Sequence, residues 1–361
     1  MASIRDGLEP SAAAASSPGA DTQGLPEPPI ILIAGPTGVG KSTLALGLAR
    51  ALGGEIISAD SRQVYRGMEI GTAQPTAEEL AAVPHHLVGV IAPDQHFSVA
   101  EFVDLAERAL HAIAARSRPA FVVGGTYHYV QALLDGLTLP RVPPRWAMRR
   151  ELEQLAGRRG PGELHARLVR LDPAAAASIP SANVRRVIRA LEVIEATGQP
   201  FSELGRRRGQ ARAALRLALT MPRAELYARV DARIEDMLRR GWLDEIRALL
   251  AAGYGADLPA LSSTGYRELA GYLRGELALD EAVRRVKYST HAYIRRQYAW
   301  LRRDPRLEWL EHGPDLFDRA LARAQAYLRV HAGGQRSGTA VGLPAGDKPA
   351  PAAAGCRCQD E

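Results

Sequence analysis

Apolar and polar positions along this chain alternate between a strand-like and a helix-like spacing. Ile30-Ile31-Leu32-Ile33-Ala34 is an uninterrupted apolar run of strand length, the pattern of a strand covered on both faces. Helical spacing follows from Thr43 to Leu52. Glu55-Ile56-Ile57-Ser58-Ala59-Asp60 reads as a second short strand that ends in an acid. From Ser98 to Ala115 a helical stripe of Phe102, Leu105, Ala109 and Ile113 recurs, and Ser98 and Glu101 have the spacing of a capping box. Ala120-Phe121-Val122-Val123 is the next strand, closed by Gly124-Gly125-Thr126. Leu215 to Thr220 is another, and Leu226, Val230, Ile234, Met237 and Leu238 mark a helix over Arg223–Arg240. Asp280 to Arg303 predicts a long helix. Strands alternating with helices predict an α/β fold with a parallel sheet.

The alternation breaks at Pro140, Pro143 and Pro144. Beyond them lie short helical stretches rich in Arg and Ala, and Asn183 to Thr197 predicts a helix burying Val184, Val187, Ile188, Leu191 and Ile194. The predicted organisation is a disordered leader over 1–28, a core made of 29–140 plus 211–332, a mostly helical basic insertion over 141–210, and a disordered tail over 333–361. Neither end is expected to carry function.

Charge changes this picture. The net charge is +6, but residues 145–216 hold fifteen arginines against seven acids. That imbalance suits a polyanion such as nucleic acid; an arginine-rich composition without a partner is the alternative. From Arg284 to Arg303 the long helix carries seven Arg or Lys and no acid, interleaved with Tyr288, Tyr293, Tyr298 and Trp300. Such interleaving suits phosphates and unstacked bases, and the aromatics equally suit packing on the core. The only cysteines, Cys356 and Cys358, form neither a zinc site nor a disulfide framework. No run of eighteen apolar residues and no apolar leader segment is present, so the expected location is cytoplasmic.

Candidate chemistry begins after the first strand. Gly35-Pro36-Thr37-Gly38-Val39-Gly40-Lys41-Ser42, set between a strand and a helix, has the spacing of a phosphate-binding P-loop. The glycines let successive N–H groups face one anion, and the helix N-terminus adds its dipole. Lys41, one of only three lysines in the chain, supplies a compact charge. Ser42 has the hydroxyl that would hold Mg2+ beside the phosphates. Asp60 ends its strand, where open α/β sheets gather their chemistry, although an acid there also serves as a cap. The strand ending at Gly124 lacks the acid by which NTPases position magnesium and water, which counts against ATP hydrolysis. Arg229 and Arg233 sit one turn apart and could clamp a pyrophosphate or pair with Glu225 and Asp236.

Taken in order, the residues spell a family. They are the octet Gly35–Ser42, Ile57 to Met68 with Ile70-Gly71-Thr72-Ala73, Pro84-His85-His86-Leu87, Val123 to Thr126, Arg186 to Val193, Arg229 to Gly241, Gly265-Tyr266-Arg267, and Arg296-Gln297 with Trp300. Over about Pro29 to Leu310 the chain resembles the bacterial tRNA dimethylallyltransferases. The resemblance implies a P-loop NTPase-like core with a helical tRNA-binding insertion. It also implies transfer of a dimethylallyl group from dimethylallyl diphosphate to N6 of the adenosine 3′-adjacent to the anticodon. Asp60 matches the family's general base, and Arg233, Lys41 and Thr126 complete the implied catalytic set. The octet with Arg229 would hold the donor diphosphate, with Mg2+ at Ser42. Asp60, Ser61, Arg62, Gln63 and Thr126 would meet the flipped adenosine. Arg149, Arg185, Arg186, Arg267, Arg295, Arg296 and Gln297 would contact the rest of the tRNA. Tyr127 stands where the family commonly has a smaller residue, and would narrow the channel. A monomer with no membrane contact is expected. Three rival readings remain at this point: an adenylate isopentenyltransferase acting on free AMP, a P-loop small-molecule kinase, and a non-catalytic RNA-binding regulator.

Overall fold

The computed structural model describes residues 27–337 apart from 138, 205–210 and 256–257. The expectations for the leader before 27, for residues 205–210 of the insertion and for the tail beyond 337 lie outside the described residues. Among the described residues six parallel strands form one sheet in the order β3-β2-β4-β1-β5-β6. They are β1 (Ile30–Ala34), β2 (Glu55–Ser58), β3 (His85–His86), β4 (Ala120–Gly124), β5 (Ala214–Thr220) and β6 (Glu308–Glu311). The four strands expected from apolar runs are all present, and the two edge strands were not foreseen. His85–His86 is too short to show a pattern, and Glu308–Glu311 is half polar.

β1 is central and wholly buried, paired to β4 from Ile30↔Ala120 to Ala34↔Gly124 and to β5 on its other side. Alternate residues serve opposite faces, because side chains along a strand point in turn to either side. Ile31 and Ile33 pack with Leu44, Leu48, Leu226 and Val230. Ile30 and Leu32 pack with Phe102, Leu110 and Ile113. A sheet covered on both faces explains why its inner strands are continuously apolar.

The helices follow their stripes. In helix Val99–Ala115 the Ser98–Glu101 capping box is made, and Phe102, Ala109 and Ile113 are buried as expected. Ala106 and Leu110 join them, while Leu105 stays partly exposed. Helix Arg223–Arg239 buries Leu226, Val230, Ile234 and Met237. The last described helix, Leu316–Ser337, continues past Gly333, where the sequence reading had begun a disordered tail. Leu316, Ala320 and Ala324, one turn apart, seat its first half on the core.

Helices Trp146–Arg159, Pro161–Leu171, Pro173–Ser178 and Val184–Thr197 share a hydrophobic cluster of their own, built on Leu152, Leu164, Leu168, Val187, Ile188 and Leu191. Glu192 lies inside it with no exposed surface. Its carboxylate accepts two hydrogen bonds from Arg149 (2.8 and 2.7 Å), one from Arg189 (2.5 Å) and one from the Arg145 amide (2.6 Å). Burial works to raise its pKa, but these bonds outweigh burial and hold it down at about 2, below its ordinary 4.5.

A depressed carboxylate pKa stabilises the fold above its unfolded value, and that stability is lost as pH falls through the folded value. Thermal unfolding followed by circular dichroism should therefore show stability dropping from about pH 4.5 towards about pH 2. Glu192→Gln should destabilise the fold at neutral pH by an amount on the order of 3 kcal/mol, read as a lower melting temperature, and should flatten that decline.

Candidate active site

The carboxyl ends of β1, β2 and β4 carry the site, as expected for an open parallel sheet. After β1 the chain turns through Gly35–Gly40 and enters helix Lys41–Leu52. Gly35, Pro36 and Val39 are buried and support the loop, while Thr37, Gly38, Gly40, Lys41 and Ser42 line a cavity of about 430 Å³. A β-carbon on Gly38 would come within 2.3 Å of Val230 Cγ2, so the glycine lets helix Arg223–Arg239 press against the loop. That contact brings Arg229 and Arg233 to the cavity wall, joined by Arg240 about two turns further on.

Lys41 donates to the Pro36 carbonyl oxygen at 2.9 Å. Burial pushes its pKa down to about 8, Asp60 opposes that, and Arg233 adds to it. Arg233 is held below the usual guanidinium range, first by burial and then by Arg229 and Arg240, with Asp60 opposing. Arg229 donates to His312 Nε2 at 3.1 Å. The alternative partner Asp236 is taken by Arg239 at 3.2 Å.

Asp60 lies just past β2 and caps the turn through Oδ1, which accepts from the Arg62 amide at 2.9 Å. The capping role and the site role therefore coexist in one carboxylate. Thr126 Oγ1 accepts from the Ser61 amide at 3.1 Å, tying the turn after β4 to the turn after β2. A second cavity of about 360 Å³ adjoins the first and shares Thr37, Asp60, Thr72 and Arg233 with it. Its polar side holds Ser61, Arg62, Tyr293 and Arg296, and its apolar side Val230, Ile234, Met237 and Trp242. Burial and the nearby Asp60 push the Tyr293 hydroxyl up to about 12, so it remains a neutral donor. Asp60 and Arg233 thus stand where an anion in one cavity and a nucleophile in the other would meet.

Three expected RNA contacts have their polar groups engaged within the protein. Gln63 accepts from Ser58 Oγ at 2.8 Å and donates to the Ala73 carbonyl oxygen at 2.8 Å. Gln297 is buried between the Thr37 amide and the Gly125 carbonyl oxygen. Arg149 is spent on Glu192, as described above. Tyr127 donates to Asp304 and lines neither cavity, so it does not narrow the channel.

The other expected contacts are at the surface. Arg185 and Arg186 are exposed on helix Val184–Thr197, and Arg186 borders a groove of about 830 Å³ that also touches His128 and Trp300. Arg267 is exposed beside Glu268. Arg295 and Arg296 are exposed on helix Leu279–Leu301, with Arg296 over the Tyr293 ring at 5.8 Å.

Arg240, Thr72, Tyr293 and Trp242 line the site and were not among the expected site residues, although Tyr293 stood among the aromatics of the long basic helix. Arg240 had a signal, since it shares a helix face with Arg233. The other three face the cavities only because distant segments meet there.

Among the described residues no cluster of three or more His, Cys, Asp or Glu could cage a metal. The Ser42 hydroxyl and the Asp60 carboxylate do line the first cavity. Such a sparse oxygen set fits an ion that takes most of its ligands from phosphate and water.

A family profile described as IPP transferase matches residues 63–304, and one described as isopentenyl transferase matches residues 28–87. A tRNA dimethylallyltransferase of Roseiflexus sp. (strain RS-1) is 54% identical over 77% of this chain and 91% of its own. That of Thermomicrobium roseum is 44% identical over 90% of this chain and 98% of its own. The solved tRNA isopentenylpyrophosphate transferase of Bacillus halodurans is 37% identical, covering 84% of this chain and 99% of its own, with a TM-score of 0.61. A eukaryotic dimethylallyltransferase acting on tRNA superposes with a TM-score of 0.70 at 26% identity, covering 88% of this chain and 81% of its own. A profile matched over most of the chain and relatives this similar over nearly their whole length leave one conclusion: the chain belongs to the IPP transferase family.

Proposed function

We propose that this protein transfers a dimethylallyl group from dimethylallyl diphosphate to N6 of the adenosine 3′-adjacent to the anticodon in tRNAs, releasing diphosphate. The observation that carries the reading is the shared wall: Asp60 and Arg233 belong both to the phosphate-loop cavity and to its neighbour. An ATP-hydrolysing site needs no second cavity there, whereas a two-substrate transfer does.

The donor diphosphate sits against the loop amides, Lys41 and Arg229. As the allylic C–O bond breaks, charge gathers on the leaving diphosphate, and Lys41 and Arg233 are placed to stabilise it. The N6 amine attacks the allylic carbon, and Asp60 accepts the proton that the nitrogen gives up. Thr126 holds the Ser61 amide and so steadies the turn that carries Asp60. Mg2+, held by Ser42 with Asp60 nearby, would add positive charge at the leaving diphosphate. The adenosine reaches the second cavity only when flipped from its loop. Arg186, Arg267, Arg295 and Arg296 are the exposed cations for its flanking phosphates. The helices over 141–204 form the tRNA-gripping insertion on the core. One cytoplasmic chain, acting as a monomer, carries both substrates.

The test uses purified protein, magnesium, labelled dimethylallyl diphosphate and unmodified tRNA with adenosines after the anticodon. Label should enter tRNA and not AMP, and Asp60→Asn should slow transfer by about 10²–10⁴-fold. Transfer to AMP alone, or ATP consumption without transfer, would overturn the reading.

Lys41 gives a second expectation. In the free protein it loses its proton as pH rises through about 8. A bound anion retains that proton, so affinity for inorganic pyrophosphate should fall as pH rises from about 8 to about 9.5. Calorimetric titration should show that decline in the wild type, and Lys41→Met should bind more weakly at neutral pH with a flatter pH dependence.

A further inference from the structure

We infer that Gln297 is a positioning residue, one that locks the phosphate loop to the turn after β4 and so sets the span across which the group is transferred. The inference rests on the function proposed above. β1 and β4 are paired as far as Ala34↔Gly124, and there the ladder ends. Beyond it the segments leaving β1 and β4 carry the halves of the site, the phosphate loop on one and Gly125-Thr126 on the other. Gln297 takes over where the ladder stops. Its Oε1 accepts from the Thr37 amide at 2.9 Å, and its Nε2 donates to the Gly125 carbonyl oxygen at 3.1 Å.

Both ends of the bridge lead to the reacting groups. Thr37 borders both cavities. Gly125 precedes Thr126, whose hydroxyl accepts from the amide of Ser61, the residue after Asp60. The donor loop and the acceptor side are thus held in register by one amide plane. That plane comes from helix Leu279–Leu301, the same helix that sends Thr290, Tyr293 and Arg296 to the second cavity.

The residue type follows from the two partners. One is a donor and the other an acceptor, so the bridging group must offer one of each without charge. A carboxylate would set an oxygen against the Gly125 carbonyl oxygen and bring a negative charge towards the diphosphate. Close approach also explains Gly125, since a β-carbon there would lie 2.3 Å from Gln297 Nε2. The buried amide has no exposed face for RNA, being only 6% accessible.

The experiment compares the full-length wild type with Gln297→Met, which keeps the volume and loses both bonds, and with Gly125→Ala, which displaces the bridge from its other end. Three quantities are read: the single-turnover transfer rate at saturating substrates, the Kd for inorganic pyrophosphate, and the Kd for an anticodon stem-loop RNA. Both variants should lose about 10–100-fold in rate while each Kd stays within about threefold of wild type. A Gln297→Met rate equal to wild type would overturn the inference. So would a loss explained wholly by weaker RNA binding, which would make Gln297 an RNA contact, or wholly by weaker pyrophosphate binding. If Gln297→Met does not fold, Gly125→Ala carries the test with the same expectations; unfolding of both would make the bridge a folding element and overturn its positioning role. A wild type that transfers nothing strikes the proposed function, whereas an active wild type matched by its variants strikes the bridge alone.

Discussion

Lys41 and Arg233 line one cavity, both largely desolvated, and the Asp60 carboxylate opposes them there. Two cations desolvated together repel each other and resist charging. Both are pulled below their ordinary pKa values, which means the fold holds them in place against their own preference. Such an arrangement is relieved by an anion and by little else. The hydrophobic packing around β1 supplies the rigidity, and the rest of the site is arranged around the charge it confines.

That confinement adjoins a second cavity. Thr37, Thr72, Asp60 and Arg233 border both cavities. This shared border is made by segments far apart in sequence: the phosphate loop, the turn after β2, the short helix Glu69–Thr72 and helix Arg223–Arg239. Glu245 braces one of these, accepting from the amides of Ile70 and Gly71 and from the Tyr266 hydroxyl. Burial raises the Glu245 pKa, and it is those donors that keep the carboxylate satisfied in place.

The helical segment over 146–204 is held differently. Its core is small, and a buried carboxylate gathers two arginines and a backbone amide at its centre. Basic residues there divide into two populations. Arg149 and Arg189 are internal partners of Glu192, while Arg185 and Arg186 face outwards. The local excess of positive charge is real, but only part of it is available to a polyanion.

Much of this protein was legible from residues that are neighbours in the chain. The inner strands were visible because a sheet covered on both faces demands unbroken apolar runs, and the phosphate loop because its octet is contiguous. The edge strands were not, since pairing on one side asks little of sequence. Nor could a motif reveal which way its side chains turn. Gln63, Gln297 and Arg149 stand among residues that suit RNA, yet each meets its partner inside the protein. What the chain determined by itself was the set of chemical groups and the local elements that carry them. Which of those groups share a cavity, and which are consumed in holding it open, was decided only when segments such as Thr37, Gly125 and Gln297 came within hydrogen-bond reach, because those bonds join residues that no sequence period relates.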